Sequence, residues 1–120
     1  MNISEREHGD VVVYTLEGRV DSEGAMDLDI ALQSATAEGK HKIILEMSGV
    51  RYINSAGLRT LADILTQNQK EGGDLKLVSL HPKVQRVFQI IGFERFFDIH
   101  ETTESALAAF QSSETQQKSG

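Results

Sequence analysis

The stretch Asn54-Ser55-Ala56-Gly57 is where side-chain chemistry is most legible in this sequence. It stands between a short apolar run, Lys42 to Leu45, and a periodic segment with Leu58, Leu61, Ala62 and Leu65 at i, i+3, i+4 and i+7. That spacing predicts a helix, so the Ser55 hydroxyl falls at or beside a helix N-terminus. Backbone N–H groups there have no intrahelical partner and the dipole is positive, so an added negative charge is favoured. Ser55 is then either an ordinary cap, worth ~1 kcal/mol, or a residue that accepts a phosphate. Ala56 is small and leaves the hydroxyl accessible. Gly57 in a first turn costs ~1 kcal/mol of helix propensity against Ala, which suggests that something approaches the backbone closely. A phosphate on Ser55 would add about −1.5 to −2 charge, enough to abolish docking without unfolding the domain.

Other constellations are weaker. No Gly-x-Gly-x-x-Gly and no Gly-x-x-x-x-Gly-Lys-Ser/Thr loop is present, so nucleotide binding of either kind has no support. Ser55 is not in a nucleophile elbow, because Gly-x-Ser-x-Gly needs glycine where the chain has Ile53. The histidines, His8, His41, His81 and His100, lie near element ends without metal-ligand spacing, and read as surface or turn residues. Asp21, Glu23, Asp27 and Asp29 lack the order of a calcium loop and suit a helix start through its dipole. Asp21 is separable from them. It precedes the helix at a strand end, the edge of an α/β sheet where ligands and partners meet the fold. With no base beside the candidate nucleophile, the chain reads as a binding protein rather than an enzyme.

Composition narrows the partners. The formal net charge is −6, from 18 acidic and 12 basic residues, and the basic residues are dispersed. A phosphate-tracking face needs a basic cluster, so direct nucleic-acid binding is not expected. Zero cysteines exclude a disulfide scaffold and any thiolate metal site. No apolar run approaches the ~18 residues that span a membrane, and the first residues lack the order of a signal peptide. These features lead to the expectation of a soluble cytoplasmic protein with no membrane insertion.

The elements that must position Ser55 follow from pattern. Asn2 to His8 is a weak edge strand, Gly9-Asp10 a turn, and Val11 to Leu16 a β-branched strand, together an antiparallel hairpin. After a connection at Gly18 to Ser22, Ala25, Leu28, Leu32 and Ala35 mark a helix closed by Gly39. Lys42 to Met47 is the next strand, and its core Ile43-Ile44-Leu45 is apolar on consecutive positions, as in a strand buried on both faces of a parallel sheet. A helix from about Ala56 to Lys70, a strand from Leu75 to Leu80, and a helix opened by His81-Pro82 and stopped by Gly92 follow. Phe96 to His100 is a last short strand, and Thr102 or Thr103 caps a helix with Ala106, Leu107 and Phe110 inward. The order β-β-α-β-α-β-α-β-α implies an α/β fold, with one mixed, largely parallel sheet of about five strands and about four helices. Residues 111–120 are polar and are expected to form a disordered tail.

The segment Leu45 to Leu58, Leu-Glu-Met-Ser-Gly-Val-Arg-Tyr-Ile-Asn-Ser-Ala-Gly-Leu, resembles the signature of STAS domains. More narrowly, it resembles that of the bacterial anti-sigma factor antagonists. Gly18-Arg19-Val20-Asp21, Gly72-Gly73 before Leu75-Lys76-Leu77-Val78, and Val84 to Phe97 with its Gly92-Phe93 step agree in order and spacing. The resemblance implies a single STAS domain over residues 1–110 that works by partner switching, without catalytic residues, cofactor or metal. The unphosphorylated form would bind an anti-sigma factor that is also a serine kinase and so free the sigma factor. The kinase would phosphorylate Ser55 and dissociate, and a serine phosphatase would restore the binding form. By position, Ser55 is the phosphoacceptor. Asp21, Asn54, Ala56, Gly57, Arg59, Thr60 and Asp63 would belong to the docking surface. One residue departs from the family form: Asn54 stands where Asp is usual, keeping size and hydrogen bonding but losing the charge. Some STAS domains are never phosphorylated and serve as subunits or scaffolds, for example in lipid-transport or signalling complexes, and the resemblance implies that alternative as well.

Overall fold

A computed structural model gives the backbone of residues 1–119 and the side chains of residues 1–111. Five strands, β1 (Asn2–His8), β2 (Val11–Val20), β3 (Lys42–Ile53), β4 (Asp74–Val78) and β5 (Asp98–His100), lie in one sheet in that order. β1 pairs antiparallel with β2 across the Gly9-Asp10 turn, and every other pair is parallel. Four helices, α1 (Ser22–Ala37), α2 (Ser55–Lys70), α3 (Pro82–Ile91) and α4 (Thr103–Ser119), complete the expected order. The expected polar tail falls on residues 111–120, whose side chains from 112 onward, with Gly120, lie outside the described residues.

Alternation along the strands divides the core into two layers. Val12, Tyr14, Leu16, Ile43, Leu45, Leu75 and Leu77 face α1, α2 and α3, which contribute Leu28, Leu32, Leu61, Leu65, Val84 and Phe88. The intervening residues Val11, Val13, Ile44 and Val78 face the other way and are covered by Ala106 and Phe110 of α4. The consecutive apolar residues of β3 therefore do fill both faces.

Two strands run further than their apolar runs. β2 continues to Val20 and β3 to Ile53, where the sequence suggests connections, and their register shifts between Thr15 and Glu17 and between Gly18 and Arg19. Bulges let a pair continue while its twist increases. Gly18 adopts φ 123°, and a Cβ at Gly49 would stand 2.9 Å from the Leu16 carbonyl oxygen. Past the bulges Val20, Val50 and Ile53 are buried, so the extensions rest on apolar side chains that a short-window pattern does not register.

At the other end, β5 is shorter than expected. Phe96 and Phe97 stay outside it, following a 3-10 turn at Phe93–Arg95, and Phe93 and Phe97 meet Phe88 edge-on with centroids 6.1 and 5.6 Å away. Filling the end of the core with three rings fixes the chain before strand pairing can begin. The caps follow the sequence. His81 accepts from the Lys83 amide before Pro82, Gly92 ends α3 at φ 77°, and Thr102 accepts from the Ser105 amide at the start of α4.

Candidate functional site

Parallel pairing of β2 with β3 aligns Val20 with Ile53, so the residues that follow, Asp21 and Asn54, emerge side by side at the C-terminal edge of the sheet. Each caps the helix it precedes. Asp21 Oδ1 accepts from the Gly24 amide at 2.9 Å, and Asn54 Oδ1 accepts from the Gly57 amide at 3.1 Å. The two starts are further tied by the Asn54 amide, which donates to the Val20 carbonyl at 3.0 Å. The Gly24 amide, and after it Arg19 at 3.7 Å, hold the Asp21 carboxyl below its usual range.

This arrangement removes one of the two roles open to Ser55, that of the cap. The cap is Asn54, not Ser55, and Ser55 is the first residue of α2, exposed to solvent. Its hydroxyl is not needed to terminate the helix. The amides of Ser55 and Ala56 lie in the first turn, where no intrahelical acceptor exists. Replacing Asn54 by Ala is expected to cost ~1 kcal/mol, read as a lower midpoint in chemical denaturation. Ser55→Ala at the adjacent position should change that midpoint by less than about 0.5 kcal/mol.

Gly57 has a different role from the one its sequence position suggests. It is buried, and the space of its missing side chain is taken by the chain itself. A Cβ would lie 2.6 Å from both Val20 Cγ1 and the Val20 carbonyl oxygen, and 2.9 Å from Ile53 Cγ1. Gly24 repeats the pattern on α1, with the Arg19 carbonyl oxygen 2.1 Å from the position of a Cβ. The close approach that Gly57 allows is therefore between helix and strand, and it sets the height at which Ser55 stands above the sheet.

Of the other docking residues named by the resemblance, Arg59 and Asp63 are exposed and Ala56 and Thr60 half-buried. All four line a cleft of about 310 Å³ between α1 and α2, together with Ala25 and Met26. A second cleft of about 260 Å³ continues along the same helix pair and shares Asp29 and Asp63. The result is a groove, acidic at its centre, that begins beside Ser55. Two further residues join the site without having been expected there. Arg19 and Tyr52 are paired across β2 and β3, and the guanidinium lies 4.0 Å from the Tyr52 ring centroid. Their sequence signal is only the strand register, which no local motif carries.

A second polar assembly lies on the other face of the sheet. Lys76, buried under α4, donates to Asp98 at 2.7 Å and Asp74 at 3.1 Å and sits 4.5 Å from the Phe110 ring centroid. His100 continues the string, with Nε2 2.8 Å from Asp98 and Nδ1 2.7 Å from the Ser105 hydroxyl. Burial alone would push the Asp98 carboxyl up, but the hydrogen bonds from Lys76 and His100 outweigh it and hold the group below its ordinary 3.8. The string ties the first turn of α4 to β5. Among the described residues, no cluster of His, Cys, Asp or Glu could hold a metal ion, and no helix is long and apolar enough to cross a membrane.

Known proteins share this fold. The model of the STAS domain family matches residues 2–106. BtrV of Bordetella bronchiseptica, assigned by name as an anti-sigma factor antagonist, is 34% identical over 101 residues, covering 84% of this chain and 87% of that protein. The crystal structure of TM1081 of Thermotoga maritima, assigned in the same way, superposes with a TM-score of 0.80 at 27% identity, covering 89% of this chain and 92% of its own. SpoIIAA of Bacillus in its unphosphorylated form superposes at 0.80 with 19% identity over 92% of this chain and 97% of that one, and in its phosphorylated form at 0.72.

Proposed function

This chain belongs to the STAS domain family, and from that premise we propose that it is an anti-sigma factor antagonist whose docking is switched at Ser55. In this reading the unphosphorylated chain binds an anti-sigma factor with serine kinase activity along the α1–α2 groove and frees the sigma factor. Phosphorylation of Ser55 dissociates the pair, and a serine phosphatase restores it. The observation that carries the reading is that Asn54 caps α2 and leaves the Ser55 hydroxyl exposed beside the groove.

The physical argument is electrostatic. A phosphoryl group on Ser55 would lie at the positive end of α2, so the fold tolerates it. SpoIIAA, a neighbour in fold, has been solved both with and without phosphorylation. The same group adds about −1.5 to −2 charge near Asp21, at the mouth of a groove whose walls carry Asp29 and Asp63, and a partner surface matched to the unmodified groove would meet it as a desolvated, unpaired charge. Docking is lost while stability is kept.

The experiment is incubation with an anti-sigma factor kinase and ATP, followed by intact mass and binding measurements. The wild-type chain should gain one phosphate, and Ser55→Ala should gain none. Ser55→Asp should bind the kinase at least about tenfold more weakly, a loss of roughly 1.4 kcal/mol, with an unchanged melting curve. Modification at another residue, or a Ser55→Asp variant that binds like wild type, would sink the switch.

Asn54 favours a second reading, in which the chain is an interaction subunit or scaffold that is not phosphorylated, as in lipid-transport or signalling complexes. Without the carboxylate, a kinase that reads an acidic residue before the acceptor loses that contact. Asn54→Asp keeps the cap and adds the charge. If it alone permits modification, the scaffold reading is the better one.

A further inference from the structure

The outer faces of α1 and α3 carry opposite charges beside exposed apolar side chains. On α1, Met26 and Ile30 are 66% and 64% exposed, one turn apart. Glu23 and Asp29 are exposed on the same helix, which has no Lys or Arg between Ser22 and Ala37. On α3, Ile90 is 72% exposed and shares a stripe with Lys83 and Arg86 at i, i+3 and i+7, both exposed, and no acidic residue lies between Pro82 and Ile91. Among the described residues, none of Glu23, Asp29, Lys83 and Arg86 makes an ion pair. The apolar surface of α3 continues into the following turn, where Phe96 is 65% exposed and makes an edge contact with Phe93.

Exposed apolar side chains on a helix face whose own charges are of one sign and make no ion pair have the composition of an interface. The complement of each stripe is found on the chain itself, yet the two cannot meet within one molecule. α2 stands between them, bordering α1 through the clefts at Ala56 and Ile64 and bordering the Phe93–Arg95 turn through a third cleft at Ala62 and Leu65. We propose that α1 of one copy docks on α3 of a second copy. Met26 and Ile30 cover Ile90 and the Phe96 ring, while Glu23 and Asp29 pair with Lys83 and Arg86. The contact is heterologous. Each copy keeps one free α1 face and one free α3 face, so association continues into rings or open chains instead of stopping at a dimer.

Met26 and Asp29 also line the cleft beside Ser55, so a copy docked on α1 competes with a partner docked there. That consequence rests on the function proposed above; self-association is measured on the chain alone, so the two fail separately.

Sedimentation of the purified chain from about 10 μM to about 1 mM tests the contact, at about 0.05 M and about 0.5 M salt. The weight-average mass should rise with concentration beyond that of a dimer, and the dissociation constant should increase about tenfold at the higher salt, where exposed charges are screened. The double variants Lys83→Glu/Arg86→Glu and Glu23→Lys/Asp29→Lys should each be monomeric, because each sets like charges against one another. Mixed in equal amounts they should associate, since each then presents the complement of the other. All the substitutions are on exposed positions, and a cooperative melting curve confirms folding, with a loss of up to ~1 kcal/mol expected where Glu23→Lys sets a cation in the first turn of α1. A wild-type chain that stays monomeric throughout, a reversed variant that still associates alone, or a mixture that does not associate would overturn the proposal.

Discussion

Gly24→Ala and Gly57→Ala are each expected to destabilise the domain by ~2–3 kcal/mol, although alanine is the better helix former. On an exposed helix the exchange would gain ~1 kcal/mol. Here the added methyl has no room. At Gly24 it would stand 2.1 Å from the Arg19 carbonyl oxygen, and at Gly57 2.6 Å from the Val20 carbonyl oxygen. These are backbone atoms within the paired ends of β2 and β3, so relief requires the helix to lift from the sheet. Lifting α2 strains the Asn54 cap and moves Ser55, so Gly57→Ala should also weaken partner docking, whereas Gly24→Ala moves Asp21 and the α1 wall of the groove. Thermal melting should show a fall of roughly 8–12 °C for either. Midpoints unchanged or raised would mean that the helices are not seated on the strand ends as described.

Asp98→Ala is expected to cost ~2 kcal/mol. It takes from the buried Lys76 ammonium its shorter hydrogen bond and from His100 its carboxylate, and removing one partner of a buried pair leaves the other charge poorly compensated. Asp98 is 42% exposed and Asp74 still reaches Lys76, which places the loss below that of a fully buried pair. The pH dependence has a definite sign. The folded Asp98 pKa lies below 3.8, so its contribution is complete above the unfolded value and disappears as the pH falls through the folded one. Burial would push the Lys76 ammonium down, but its hydrogen bonds to Asp98 and Asp74 outweigh that and raise it above 10.5. Its contribution is complete below that value and is lost as the pH rises through the raised one. The stability difference between wild type and Lys76→Met should therefore be flat from about pH 5 to about pH 10 and change outside that window. A difference that varies steeply within it would show that another group controls the assembly.

Much of the fold was legible because its signals are local. The β-branched run at Val11, the i, i+3, i+4, i+7 spacing after Leu58, Pro82 at a helix start and Gly92 at a helix end each act within one turn or one strand, and each sits where its chemistry places it. What was not legible depends on pairing. The extensions of β2 to Val20 and β3 to Ile53 exist because two bulged strands support each other. The 3-10 turn at Phe93–Arg95 exists because three rings converge from different elements. Neither has a periodicity of its own.

The same division runs through the candidate site. By itself the sequence determined that a hydroxyl lies at a helix N-terminus after a buried strand, that Asp21 ends the neighbouring strand, and that the whole pattern is that of a STAS domain. Only the tertiary structure decided which residue caps α2. Asn54 and Ser55 are both good caps by type, and the choice depends on the backbone direction that the Val20–Ile53 register imposes on the chain as it leaves the sheet. It also decided what Gly57 is for, because the atoms that need the space belong to Val20, 37 positions earlier by number. Caps and helices are set by neighbours along the chain, which a sequence displays. Exposure, clearance and the pairing of charges are set by neighbours across it, which exist only once the strands have found their register.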